Sequence, residues 1–158
     1  MKNIVIITLG LIIIGCKGSK EKSIVINAPL EQVWAVFSDL GAHEHFTALD
    51  SASLTPAGNV SKGSIWYVSQ GKNSAKSEVT VVEPLSRIET RLIEATWPAS
   101  DWSETHTFNG DSQSTKVSWK VDFTGKGPAN LFFPFFNAYV GFDIKKSLKN
   151  LKVMIESE

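Results

Sequence analysis

Residues 23–40, SIVINAPLEQVWAVFSDL, contain the pattern that decides the fold. The β-branched run from Ser23 to Asn27 predicts a short strand. It ends at Ala28-Pro29, because proline removes a backbone hydrogen-bond donor and favours the first turn of a helix. From Leu30 to Asp39 the apolar residues recur at helical spacing, and they are Leu30, Val33, Trp34 and Phe37. The domain is therefore predicted to open with a strand followed directly by a helix.

The stretch after this helix predicts a second, shorter helix and then a sheet. Leu40-Gly41 ends the first helix, and Ala42 to Phe46 is predicted to form one more helical turn. Alternating runs separated by turn residues follow, and their regular spacing predicts an antiparallel meander. The predicted strands are Ala48–Leu54, Ser64–Gln70, Lys76–Glu83, Arg87–Ala95, Asp101–Phe108 and Lys116–Thr124.

One long helix is predicted to fill the rest of the chain, from Asn130 to Ile155, with a length of about 39 Å. Pro134 and Gly141 predict a bend or a late start. Its apolar stripe is predicted to contain Phe132, Phe136, Val140, Ile144, Leu148, Leu151 and Ile155. Strands and helices in this order give an α+β fold.

The opening segment resembles that of the START-like superfamily, also called SRPBCC or polyketide cyclase and dehydrase-like. The matching positions are Ala28-Pro29, Glu31, Val33-Trp34 and Asp39-Leu40, and Asp143–Ile155 is similar to the closing helix of that family. The resemblance implies a helix-grip fold. In that fold a curved antiparallel sheet of about seven strands wraps the C-terminal helix, two short helices follow the first strand, and a cavity lies between sheet and helix.

The sequence departs from the family pattern after Asp39-Leu40. Relatives often carry an aromatic residue, frequently Trp, shortly after this pair, whereas here the sequence is His43-Glu44-His45-Phe46. Phe46 is predicted to take the aromatic role, and the mouth of the cavity is predicted to be more polar than usual.

The N-terminus has the pattern of a bacterial lipoprotein signal peptide. The basic start Met1-Lys2-Asn3 precedes the apolar run Ile4–Ile14, which is too short for a membrane span of about 20 residues. Ile13-Ile14-Gly15-Cys16 resembles the lipobox, in which the cysteine becomes lipid-modified. The alternative is an uncleaved anchor with an incidental cysteine. The predicted organisation is a signal peptide at 1–15, a lipidated Cys16 with a flexible tether to residue 22, and a ligand-binding domain at 23–158.

A lipid on Cys16 would place the protein in the cell envelope, facing the periplasm. Lys17 follows the cysteine, so the Asp that directs inner-membrane retention in some bacteria is missing at that position, which favours the outer membrane. The 16 basic residues equal the 16 acidic ones, and this balance does not favour nucleic acid as a partner. The sequence contains no P-loop, no dinucleotide-binding glycine motif and no G-x-S-x-G nucleophile elbow, and neither a cofactor nor a metal is expected.

Aromatic residues make up 10% of the chain and suggest either a filled core or the wall of an apolar cavity. The four Phe residues in 131–136 (LFFPFF) cannot all point inward from one helix, so some must face a mouth, a membrane or a partner. The predicted ligand-binding residues are Trp66, Trp102, Trp119, Phe132, Phe136, Tyr139, Val140 and Asp143.

Two sets of polar residues are candidates for chemistry. Glu104 and His106 share one face of a predicted strand, and they would form an acid–base pair if that face is concave. His43 and His45 suggest a metal only weakly, because residues two apart on a helix diverge. Three functions remain open: a carrier of a hydrophobic small molecule or lipid, a cyclase or dehydratase using Glu104 and His106, and an interaction module with a filled core. The oligomeric state stays open.

Overall fold

The computed structural model describes residues 16–97, 99–125 and 132–157 and has the predicted α+β architecture. Two helical segments lie between the first and second strands: helix α1 spans Leu30–Ser38, and a 3₁₀ helix spans Leu40–His45. A long helix, α2, spans Phe133–Glu156. The strands are β1 Lys17–Ile26, β2 Ser51–Thr55, β3 Ile65–Gln70, β4 Asn73–Glu83, β5 Arg87–Ala95, β6 Ala99–Gly110 and β7 Thr115–Gly125.

The seven strands form one antiparallel sheet in the order β1-β7-β6-β5-β4-β3-β2. Strands β2 to β7 are a continuous meander, as predicted, and β1 joins it beside β7. The register shifts between Val79 and Val81 and between Ser100 and Ser103. Such irregularities bend strands and increase their twist, and they help to curve the sheet around α2. This is the helix-grip arrangement.

The inner face of the sheet carries the core. On β7, Val117, Trp119, Val121 and Phe123 are buried, as their alternation predicts. The buried residues of α2 include Val140, Ile144, Leu148, Leu151 and Ile155. Every described strand and helix lies between Lys17 and Glu156, and their buried side chains form one hydrophobic cluster. None of the described helices is both long and apolar enough to cross a lipid bilayer.

The first strand is longer than predicted. It begins at Lys17, which pairs with Thr124, so residues 17–22 form the first half of β1 instead of a flexible tether. Their polar composition suits a strand at the edge of a sheet, where lysine side chains discourage further pairing. Pairing with β7 satisfies backbone groups over the full strand, and this long-range gain outweighs the weak local preference of KGSKEK.

The start of the long helix also differs from the prediction. Phe132 precedes the helix and is exposed, whereas Phe133 is buried and takes its place in the core. A spacing of four residues advances about 40° beyond a full turn. A stripe extended by fours from Val140 back to Phe132 therefore drifts out of the core. Asn130 lies outside the described residues.

Gly18 provides a test of the extended first strand. A Cβ at this position would lie 2.6 Å from Cζ of Phe123, a buried ring that is fixed by contacts with Trp102, Phe133 and Phe136. Overpacking of this kind costs about 1–3 kcal/mol, which exceeds the roughly 0.4–1 kcal/mol gained from a less flexible unfolded chain. We expect Gly18→Ala to lower the free energy of unfolding in urea denaturation.

The matched control for this prediction is Ser23→Ala, an exposed position on the same strand that should leave stability unchanged. If Gly18→Ala unfolds at the same urea concentration as the wild type, the first half of β1 does not pack on β7 as described.

Candidate functional site

A cavity of about 400 Å³ lies between α2 and the inner face of the sheet. Its volume is in the range of sites for small organic molecules. The walls are mainly apolar and come from four strands, from α2 and from two connecting segments. The residues of the walls are Thr47, Ala48, Leu49, Trp66, Val68, Gln70, Asn73, Ala75, Ser77, Trp97, Trp102, Glu104, Trp119, Val121, Phe136, Tyr139, Val140, Asp143 and Ile144.

The period of two along each strand places these residues in the cavity. On β3, Trp66 and Val68 point inward, and on β4 the small residues Ala75 and Ser77 leave room beside them. The Trp66 indole donates a hydrogen bond to the carbonyl oxygen of Leu40 at 3.1 Å, which ties the cavity wall to the 3₁₀ helix. The cavity is therefore bordered by small side chains on β4 and by large rings on β3, β6 and β7.

Glu104 on β6 is a charged group in this apolar wall. The indole nitrogens of Trp102 and Trp119 donate to its two carboxylate oxygens at 2.7 and 3.0 Å. Burial raises the pKa of Glu104, but the His106 ring and the Trp102 indole oppose this effect and bring the pKa below its usual value. At neutral pH Glu104 is thus an ionised hydrogen-bond acceptor inside the cavity.

Asp143 is the second carboxyl group of the cavity, and its pKa shifts in the opposite direction. Burial raises the pKa of Asp143, the negative charge of Glu104 raises it further, and Lys146 partly opposes both. Asp143 has no hydrogen bond to Tyr139 in the part of the chain that the structure describes. Two carboxyl groups with pKa values pushed apart are an arrangement that acid–base enzymes use.

His106 lies behind the cavity wall. Its Nε2 is 3.4 Å from Oε2 of Glu104, so the structure brings the predicted pair together on the concave side of the sheet. The ring is fully buried against Phe37 and Trp119 and is absent from the cavity lining. Glu104 alone of the pair is positioned to touch a ligand, and His106 can act only through it.

The prediction of a polar cavity mouth at residues 43–46 is wrong. His43 and Phe46 are fully buried in the core, and neither lines the cavity. His43 Nε2 lies 2.8 Å from the carbonyl oxygen of Phe37, whereas His45 is exposed, so the two histidines diverge. The described residues contain no group of three His, Cys, Asp or Glu side chains able to hold a metal.

The cavity contains seven of the eight predicted ligand-binding residues. Phe132 is the exception, because it lies outside the helix and faces away from the core. Sequence analysis missed several lining residues, including Leu49, Val68, Ala75, Ser77, Trp97 and Val121. For those on β3, β4 and β7 the signal was available, since they lie two residues from other inward-facing positions. Leu49 and Trp97 lie in connections and gave no periodic signal.

A family model described as "polyketide cyclase / dehydrase and lipid transport" matches residues 18–156. The chain belongs to this family. The match covers the whole of α2 and all of the sheet except Lys17. No curated protein sequence matches the chain.

Several solved structures have the same fold. A START superfamily protein from Mycobacterium smegmatis has a TM-score of 0.72 and 13% identity, covering 88% of this chain and 97% of that one. The ZhuI aromatase/cyclase of a Streptomyces strain has a TM-score of 0.71 and 18% identity, covering 89% and 94%. XoxI from Bacillus cereus has a TM-score of 0.70 and 16% identity, covering 87% and 95%. At these identities the likeness shows the fold alone.

Burial of His43 predicts a loss of stability in acid. Burial, opposed in part by the Phe37 carbonyl, lowers the pKa of His43 from 6.5 to about 3. As the pH falls below 6.5 the unfolded chain takes up this proton first, so stability that is present above pH 6.5 declines until about pH 3. Between about pH 7.5 and 4.5 the contribution is roughly 2–3 kcal/mol.

Denaturant unfolding at these two pH values measures the effect. We expect His43→Gln to lose less stability on acidification than the wild type, whatever its stability at neutral pH. The control His45→Gln, two residues away on the surface, should retain the pH dependence of the wild type. Equal pH dependence in all three proteins would contradict a buried, neutral His43.

Proposed function

We propose that the domain binds a hydrophobic small molecule or lipid in the cavity between α2 and the sheet. The observation that supports this proposal is the cavity itself, about 400 Å³ with a mainly apolar lining. An interaction module with a filled core would not leave this space. The family description, which includes lipid transport, favours the same kind of ligand.

The polar groups of the cavity suggest the shape of the ligand. Glu104 already accepts two indole hydrogen bonds, and an ionised carboxylate has about four acceptor sites, so it can accept one or two more. A ligand with an apolar body and one hydroxyl or amine group directed at Glu104 would satisfy it. This arrangement orients the ligand while the Trp, Val and Ile side chains supply most of the binding energy.

Ala75 provides a test of ligand binding. It lies in the cavity wall on β4, so Ala75→Phe should place a ring in the hollow and exclude the ligand. Native mass spectrometry of protein purified from bacteria should detect an apolar molecule bound to the wild type and little or none bound to the variant. The matched control is Glu78→Phe, an exposed position on the same strand whose side chain points to the opposite face.

Recovery of an empty wild-type protein, with no thermal shift across a panel of lipids, would contradict the proposed binding. Equal ligand content in Ala75→Phe and the wild type would show that the ligand occupies another site.

A second candidate function is that of a cyclase or dehydratase, which the opposed pKa shifts of Glu104 and Asp143 favour. In this function Glu104 would accept a proton from the bound molecule, and Asp143 would donate one. The ligand experiment separates the two functions. A carrier returns the bound molecule unchanged, whereas an enzyme converts it, and the conversion would be lost in Glu104→Gln while binding remains.

We further propose that the domain is anchored to an envelope membrane by a lipid on Cys16. The lipobox-like sequence before Cys16 supports this proposal, since the modified cysteine of a lipoprotein is the first residue of the mature chain. Because β1 begins at Lys17, the anchor would have no slack, and the lipid would lie directly against the end of the sheet.

The anchor is tested by fractionating cells that express the wild type or Cys16→Ser. We expect the wild type in the membrane fraction with a mass that corresponds to a diacylated chain starting at Cys16. The variant should retain residues 1–15 and lack the lipid mass. A wild-type protein of unmodified mass would exclude lipidation.

A further inference from the structure

The start of α2 and the residue before it, Phe132, carry a stripe of exposed aromatic rings. Phe132, Phe135, Tyr139 and Phe142 are 67%, 77%, 51% and 67% exposed. Their spacings of three, four and three residues place them along one side of the helix. Soluble proteins rarely expose so many large apolar side chains side by side, and such patches mark interaction surfaces. We call these four residues the aromatic stripe.

The stripe cannot turn inward, because the opposite side of the helix is fixed to the sheet. Phe133 and Phe136 pack on the Phe123 ring, with ring centroids 5.6 and 5.3 Å apart. Phe136 also contacts Trp102 at 6.4 Å. The rings that face solvent are therefore held there by the rings that face the core.

Positive charge follows the stripe along the exposed side of the helix. Lys145, Lys146 and Lys149 are all exposed in the turns after Phe142. Aromatic residues next to lysines on one exposed helix surface are typical of helices that lie in the interface of an anionic bilayer. The acidic groups of α2 do not oppose this: Asp143 borders the cavity, and Glu156 binds Lys152 and the backbone of Asn27.

The stripe lies at the end of the domain where Cys16 is found. The carbonyl oxygen of Cys16 accepts a hydrogen bond from the backbone nitrogen of Gly125 at 2.8 Å. Two residues before Gly125, Phe123 contacts both Phe133 and Phe136. In the sequence, Cys16 follows the apolar run Ile4–Ile14. The end of the domain that carries the stripe is thus also the end closest to the proposed membrane anchor.

We propose that the aromatic stripe docks the domain on the surface of an anionic lipid bilayer, with the lysines of α2 at the headgroups. Tyr139 belongs both to the stripe and to the cavity wall, so docking places this part of the cavity wall against the lipid. An apolar ligand then passes between bilayer and cavity without crossing bulk water. This passage rests on the proposed binding function, whereas the docking itself does not.

Vesicle sedimentation tests the docking. The protein used is the chain from Lys17 to Glu158, which contains every described strand and helix and cannot be lipidated. The probes are vesicles of phosphatidylcholine alone and vesicles that also contain phosphatidylglycerol. We expect the wild type to sediment with the anionic vesicles and Phe135→Ser/Phe142→Ser to bind them at least about tenfold more weakly. These two residues do not line the cavity.

The matched control is Val25→Ser/Ile93→Ser, which removes two exposed apolar side chains outside the stripe and should bind like the wild type. Exchanging Lys145, Lys146 and Lys149 for Gln should remove the preference for anionic vesicles. Circular dichroism and thermal unfolding establish that each variant is folded.

Three outcomes would overturn the proposal: a wild type that binds neither kind of vesicle, a stripe variant that binds as well as the wild type, and a control variant that binds as weakly as the stripe variant. A wild type that ignores vesicles but dimerises through the stripe would assign the surface to a second copy of the chain. Ligand content distinguishes a failure of docking from a failure of the proposed ligand binding. The stripe variant should keep the cavity ligand, and Ala75→Phe should keep vesicle binding.

Discussion

The rest of the structure depends on the burial of the apolar side of α2 against the curved sheet. The two halves of this contact differ. The second half of the helix buries Leu148, Leu151 and Ile155 in a packed core. There the Phe37 ring alone contacts the rings of His43, Phe46, His106, Phe108 and Trp119. Beside the first half the sheet presents Ala75 and Ser77, and space remains. Close packing is more stabilising than a cavity, so the packed half is expected to contribute more to stability than the half beside the cavity.

The same division explains the behaviour of the ionisable groups. His43 and His106 lie in the packed part, where burial keeps the His43 ring neutral at physiological pH. Glu104 lies at the boundary, and two indole groups compensate for the hydration that its carboxylate loses. The tryptophans of the cavity are therefore more than apolar filling. They hold a charge in a place where an unpaired one would be strongly unfavourable.

The sequence alone predicted those strands and helices in which apolar residues recur with the same period as the buried positions. β5 has the predicted limits, and the alternation on β7 predicted its inner face, because a strand buried on one side shows its orientation locally. The first half of β1 has no such pattern. Its strand conformation depends on pairing with residues about a hundred positions away, and local composition predicted a tether instead.

The residues of the candidate site were predicted about as well as the fold. The predictions that were wrong concern residues whose position is not set by local sequence. Trp66 and Trp119 were predicted as ligand-binding residues, whereas the side on which Glu104 lies was left open, and all three line the cavity. The prediction that Phe132 lines the cavity is wrong because small angular errors accumulate over several helical turns. The prediction of a polar cavity mouth at His43 is wrong because His43 is buried by Phe37, Phe46 and Trp66. These residues come together only in the folded chain. Local patterns thus predict which side of an element is buried more reliably than how deep a connection lies.

The carboxylate of Glu104 has a consequence for the selectivity of the proposed ligand site. An acceptor with a fixed negative charge, surrounded by rings and branched aliphatics, repels any molecule that brings its own negative group to the same depth. Under the proposed binding function, fatty acids and other organic anions would therefore bind less well than alcohols or amines of equal size. A cavity of this kind would select ligands by the sign of their charge as well as by their hydrophobicity, and Glu104 would provide that selection.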